Sequence, residues 1–333
     1  MLRQRIKEKS DIHFIVVRSK KTRCFESRYN ALRSIGTTNS VVVTGVIFAM
    51  MFLNYFSIKK IAEITMNKIS NAFLFVATLV LGAMPPANAV TDGSLDGEAH
   101  PHVGLLIFDV GGAPAWRCSG TLLSPTVLLT AGHCTDGTSG GRVWFEADIQ
   151  SNQAALGYPL GGATSVEFCG IATHPQFNEG SFVLHDVGVA TLCAPVIRST
   201  YGVLPAANQL DALKTQRGRL DVTFTAVGYG LQKSFPDAAS FNNSALKIRM
   251  VATPKLNQIN VPGFTGDFSL LLSNNANTGG TCFGDSGGPN FLGDSNIVAG
   301  VTSFGINSNC AGTGGVFRKD RKNVLDFVNS FLN

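Results

Sequence analysis

Residues 90–333 hold no internal repeat, no low-complexity stretch and no long helical period before the last ten residues. The first two absences exclude a repetitive adhesive or structural protein. The third excludes a mainly helical fold. No Cys, Asp or Glu cluster at ligand spacing accompanies His100, Pro101 and His102, so these read as surface histidines and no metal is assigned. None of the six histidines (His13, His100, His102, His133, His174, His185) lies beyond residue 185. This last absence decides how a glycine-rich stretch near residue 286 must be read.

Net positive charge is also absent from most of the chain. Residues 1–89 carry 13 Lys and Arg against 4 Asp and Glu, a net +9, while the whole chain is +5, which leaves residues 90–333 at −4. The excess of positive charge therefore belongs to a leading segment, and a nucleic-acid partner is excluded. Met66-Asn67-Lys68-Ile69 opens a short positive region, Ala72 to Ala83 is apolar, and Ala87-Asn88-Ala89 fits a small-x-small cleavage pattern. Residues 66–89 thus read as a secretory signal peptide. A start at Met66 would leave residues 1–65 as an untranslated extension. Val41 to Phe56 is also apolar, but its length is at the short end of what spans a bilayer, and Asn54 and Ser57 weaken it as an anchor.

Cleavage after Ala89 leaves 244 residues, one large domain or two small ones sharing an interface. Short apolar runs such as Val103–Phe108, Thr126–Leu129 and Val222–Val227 recur between Gly, Pro, Asn and Ser clusters, which predicts an all-β fold. At the end of the chain Val324, Leu325, Val328, Phe331 and Leu332 share one face of a closing helix. Seven cysteines are present, and the odd one, Cys24, lies in the leading segment. The other six suit an oxidising compartment, and six cysteines allow 15 pairings.

Gly279-Gly-Thr-Cys-Phe-Gly-Asp-Ser-Gly-Gly-Pro-Asn290 surrounds a candidate nucleophile, Ser286, with glycines that let the backbone approach a substrate closely. A serine hydroxyl needs a base, and the base needs an orienting partner. Gly284-Asp285-Ser286-Gly287-Gly288 also fits the G-x-S-x-G turn of α/β-hydrolases, but those place the histidine after the serine, and here all precede it. Upstream lie Leu129-Thr-Ala-Gly-His133-Cys134 and then Asp186-Val-Gly-Val-Ala-Thr-Leu192, in the order His, Asp, Ser. With Gly-Asp-Ser-Gly-Gly-Pro, these motifs resemble the trypsin/chymotrypsin family of serine proteases, from about Val90 to the C-terminus.

The resemblance implies two six-stranded antiparallel barrels, about 90–200 and 205–320, with a linker near Pro195 to Ala207 and the active site in the cleft between them. His133 would be the base, Asp186 its orienting partner and Ser303 a hydroxyl bonded to that carboxylate. The backbone N–H groups of Gly284 and Ser286 would form the oxyanion hole. The resemblance pairs Cys118 with Cys134 and Cys282 with Cys310; this leaves Cys169 with Cys193, which is not a regular family feature.

Gly280 stands where members that cut after Lys or Arg carry an aspartate, and with Ser303, Phe304, Gly305 and Gly315 it would form the pocket for the residue before the scissile bond. With no acid there, the expected preference is for Phe, Tyr, Leu or Met. Val90-Thr-Asp-Gly93 looks like the start of mature members, so a freed Val90 ammonium would pair with Asp285. A secreted monomeric endopeptidase follows, without cofactor, acting on proteins or peptides and open to protein inhibitors. The alternative is an inactive homologue serving as an exported binding protein. His174 and His185 read as structural, and Asp211, Asp221 and Asp237 as ordinary turn or surface acids.

Overall fold

The computed structural model describes residues 90–216, 221–232 and 246–332. The expected signal peptide, the apolar run Val41 to Phe56 and Asp237 lie outside the described residues. Six strands close into a barrel: β2 (Val103–Val110), β3 (Ala113–Leu122), β4 (Val127–Thr130), β5 (Gly140–Trp144), β6 (Val166–Thr173) and β7 (Gly188–Leu192), in the ring order β2-β3-β4-β7-β6-β5. Every pairing is antiparallel, with Leu105 opposite Ser119, Thr121 opposite Leu129 and Thr130 opposite Gly188. The short apolar runs in the sequence are these strands. β2 and β4 are almost wholly buried because their residues meet the barrel interior on one face and the second half on the other.

The second half contains β8 (Phe224–Gly228), β9 (Met250–Ala252), β10 (Leu256–Val261), β11 (Gly266–Asn274), β12 (Pro289–Leu292), β13 (Val298–Gly305) and β14 (Gly312–Arg318). With β1 (Ser94–Leu95) they form an eight-stranded sheet in the order β1-β9-β8-β12-β13-β14-β11-β10. The sheet curls back on itself, since Phe224 N donates to Pro254 O at 2.9 Å and Leu256 N to Val222 O at 2.9 Å. With β9 and β10 taken as one bent strand, this half has six strands of its own. β1 is an addition from the far end of the chain: Leu95 pairs with Met250, so the segment from Val90 belongs with the second half although it precedes the first.

One apolar core joins the halves. Leu106, Phe108, Leu122 and Leu128 of the barrel form a continuous cluster with Val227, Phe291, Val301 and Phe317 of the second half and with Val324 and Val328 of helix α2 (Lys322–Asn329). Each such side chain contributes roughly 1.5 to 3 kcal/mol when buried. The helix ends at Asn329, so Phe331 and Leu332 continue its apolar face from the turn that follows. The six cysteines form three bridges, Cys118–Cys134, Cys169–Cys193 and Cys282–Cys310.

Three polar expectations are corrected. His102 is 1% exposed, and neither of its ring nitrogens has a hydrogen-bond partner among the described residues. His100 is part-buried, stacked on Phe291 at 5.5 Å and bonded to Asp96. Both lie close to the seam between the halves, where an apolar ring face is worth more than a wet one. Asp211 is not an ordinary surface acid. Burial raises its carboxyl, but hydrogen bonds from Arg318, Lys214 and Arg321 outweigh this and hold it well below the usual range.

Candidate active site

His133 sits in the single turn α1 (Gly132–Thr135) that follows β4. A Cβ at Gly132 would lie 2.9 Å from the Phe177 ring and 3.0 Å from Val187 N, so glycine alone lets this turn approach the start of β7. That approach brings His133 to Asp186, which is completely buried. Asp186 Oδ1 accepts the His133 backbone N–H at 2.8 Å, and Oδ2 faces His133 Nδ1 at 2.9 Å. The Ser303 hydroxyl donates to Oδ2 at 2.5 Å. His185, one residue before Asp186, has φ = 57°, a left-handed turn that aims the carboxylate inward.

Burial alone would raise the Asp186 carboxyl, but the charge and hydrogen bond of His133, then the Ser303 hydroxyl, hold it below its ordinary value. Burial likewise pulls the His133 imidazolium down. The charge and hydrogen bond of Asp186 overcome that and raise it, with Lys319 pulling the other way. Because Asp186 holds Nδ1, the remaining nitrogen, Nε2, is left to face solvent or substrate. The ring is 26% exposed. Its sulfur neighbours Cys118 and Cys134 are joined to each other and so are not free to ligate.

Ser286 occupies a turn before β12 and shares with His133, Gly284, Trp116 and Tyr158 a cleft of about 560 Å³. Gly284 has φ = 93° and Gly287 φ = 76°, and a Cβ at Gly287 would meet Thr130 Oγ1 at 2.0 Å. Ser119, for which the sequence carried no motif beyond its adjacency to Cys118, fastens this turn to the first half. Its hydroxyl donates to Gly284 O at 2.9 Å and receives Tyr229 N at 3.1 Å, while its own N–H donates to Ser286 O at 2.8 Å. Among the described residues the N–H groups of Gly284 and Ser286 make no hydrogen bond within the protein. Two uncommitted amides beside a serine can receive a developing oxyanion.

Asp285 is fully buried, its carboxylate accepting Gly230 N at 2.7 Å and Cys282 N at 2.9 Å. Burial pushes it up to about 7 against those two hydrogen bonds and the distant charge of Arg117. Val90 is also fully buried, against Met250 and Ala252, and Thr91 bridges Gly280 with a hydrogen bond of 3.0 Å from Gly280 N to Thr91 O. At Gly280 the space of a missing side chain is taken by Asn274, whose Cγ would lie 2.3 Å from a Cβ. Gly315 is covered in the same way by the Phe304 ring. Ser303 turns toward Asp186, and Gly305 is exposed. None of these five residues lines the cleft that holds Ser286 and His133.

A closed six-stranded barrel joined to a curled second sheet is the architecture of the trypsin-like fold. The family model described as Trypsin matches residues 96–327, and the chain belongs to that family. It is similar to brachyurin of Leptuca pugilator, 29% identical over 63% of this chain and 83% of that protein. Serine protease 1 of Drosophila melanogaster is 28% identical over 69% of this chain and 81% of its own length. A solved collagenase structure shares the fold with a TM-score of 0.55 at 20% identity, covering 73% of this chain and 98% of that one.

Proposed function

We propose that this chain is a serine endopeptidase using His133, Asp186 and Ser286 as its catalytic residues. The observation that carries the reading is the Ser303–Asp186–His133 hydrogen-bond chain, ending in a cleft that also holds Ser286. His133 takes the hydroxyl proton as Ser286 Oγ attacks the substrate carbonyl, and the oxyanion forms between the amides of Gly284 and Ser286. His133 then gives the proton to the departing amine, and water repeats the cycle on the acyl-enzyme. One lost oxyanion donor typically costs about 3 to 4 kcal/mol.

Specificity belongs to the same proposal. The space at Gly280, where members cutting after basic residues carry a carboxylate, is filled by Asn274, whose amide is already bonded to Thr91 and Thr281, so no acid is offered to a basic residue. This supports the expected preference for Phe, Tyr, Leu or Met over Lys or Arg. Secretion fits the three disulfides. A monomeric protease open to protein inhibitors completes the reading. A fluorophosphonate probe tests it: covalent labelling of Ser286, lost in Ser286→Ala, is expected. A folded wild-type protein that takes no label would favour an exported binding protein instead. Dominant cleavage after Arg or Lys in a peptide library would overturn the specificity alone.

A further inference from the structure

Lys319 is fully buried at the end of β14, and among the described residues its ammonium makes one hydrogen bond, to the backbone carbonyl of Asp186 at 3.2 Å. The head also lies 4.7 Å from the centroid of the Phe317 ring. An ammonium has three donors, so a carbonyl and a ring are meagre compensation for the water it has lost. Among the described residues no carboxylate forms an ion pair with it. Its neighbours Arg318 and Asp320 bond each other, and Arg318 also bonds Asp211. An apolar side chain of similar length would fill the same volume without the desolvation cost, which makes packing a poor account of the charge.

We propose that Lys319 is a positioning residue for the His133–Asp186 pair, fixing the Asp186 backbone from behind and offsetting the carboxylate's pull on His133, so that it sets the pH at which His133 becomes a free base. The inference rests on the protease reading. The carbonyl it holds follows the left-handed His185, so the ammonium adds a backbone anchor to the bonds that His133 and Ser303 make with the Asp186 carboxylate.

The charged and titratable groups around it are few. Asp186 and His133 lie in front, and the stacked rings of His174 and His185, 5.1 Å apart, pack to one side. Arg318 and Asp320 belong to its own strand end. Burial lowers His174 and His185 from their ordinary values, so in the neutral range they add little positive charge of their own. Lys319 is itself pushed down to about 7 by burial, against the attraction of Asp186. It therefore changes charge in the neutral range beside the His133–Asp186 pair, and the titration of His133 is coupled to it. Because the folded lysine binds its proton less well than the unfolded one, stability rises with pH between about 7 and 10.5.

The test compares wild type with Lys319→Met and Lys319→Arg. Measured quantities are the pH profiles of kcat and kcat/KM on a small ester and the rate of fluorophosphonate labelling. Removing the ammonium leaves Asp186 unopposed, so the acid limb of Lys319→Met should move up by roughly one pH unit, with KM unchanged and Lys319→Arg returning the limb toward wild type. A folded Lys319→Met that labels at Ser286 with an unmoved acid limb overturns the inference while leaving the protease reading intact. A wild type that does not label removes the protease reading itself. Should the variants fail to fold, NMR titration of the His133 ring in the wild-type protein decides. A second inflection near neutral pH is expected, and a single-proton curve overturns the inference.

Discussion

The two halves of the site reach order by different physics. The His133 half is complete as the chain stands: a closed barrel with an apolar interior presents the ring, and every oxygen of the Asp186 carboxylate is bonded. The Ser286 half is built around buried charge. Arg249 with Asp96, Arg318 with Asp320, and Lys319 and Asp285, for which no ion pair is found among the described residues, are all fully or nearly fully buried there. Paired buried charges tolerate little change on one side, and an unpaired one invites a partner. The first half should therefore respond to loss of a hydrogen bond, the second to gain or loss of a charge.

The sharpest break of the first half is Asp186→Asn. The amide presents the wrong donor to His133 Nδ1 and leaves the Ser303 hydroxyl without its acceptor, so kcat should fall on the order of 10⁴-fold, the size known for the equivalent change in this family. Stopped-flow or steady-state ester hydrolysis measures it. A loss below tenfold would separate Asp186 from catalysis.

The second half is probed through Asp285. In the full chain Val90 carries an amide, and the carboxyl sits near 7 because burial outweighs its two hydrogen bonds. Its folded value is above the unfolded one, so stability is greatest below about 4 and is lost as pH rises toward 7. A form beginning at Val90 would supply an ammonium and reverse that slope. The paired amine would titrate above its free value of roughly 7.7 to 8.0, and the active form would be lost as pH rises through it. Breaking such a pair from one side costs about 3 to 5 kcal/mol, so a form extended by a residue should have a disordered site and much lower ester turnover than the form beginning at Val90. Equal turnover of an ester by the two would exclude the pairing.

What the sequence disclosed follows the same division. The proposed catalytic residues His133, Asp186 and Ser286 stood out because each lies in a local motif, and the barrel strands because their apolar runs are short and bounded. Ser119, Lys319 and the Arg318–Asp211 pair were not, since each acts across more than 100 residues and carries no local pattern. His100 and His102 misled for the same reason: a histidine in a Pro-containing loop looks wet until the second half closes over it.

A smaller effect is expected at the bridge that the family does not regularly supply. Cys169–Cys193 closes a loop of about 25 residues that contains Asp186, and its loss in a Cys169→Ala, Cys193→Ala variant should cost roughly 3 kcal/mol by the chain-entropy model. Thermal unfolding measures that cost. If the Asp186 half is as self-sufficient as its hydrogen bonds suggest, kcat at a temperature where both forms are folded should stay within a few-fold of wild type. A large drop in kcat there would show that the bridge, not the bonding of Asp186, holds the carboxylate in place.

The smallest effect at neutral pH, and the most specific test of the seam, concerns His102. Burial pushes its imidazole down to about 4, helped by the positive charges of His100, Arg249 and Arg198 and resisted by Asp96. The folded protein thus keeps this ring neutral while the unfolded chain begins to protonate it near 6.5. Between those limits the unfolded state binds more protons, so stability falls as pH drops, by at most about 1.4 kcal/mol per pH unit. His102→Phe fills a similar volume against Phe291 without a nitrogen to desolvate. At pH 7 the variant should match wild type in stability to within about 1 kcal/mol, because a neutral ring is exchanged for a neutral ring. At pH 5 it should be the more stable of the two, and the denaturation midpoints should diverge further toward pH 4. Parallel curves across this range would mean that His102 reaches water or a proton acceptor in solution, and the seam at this point would then be wet.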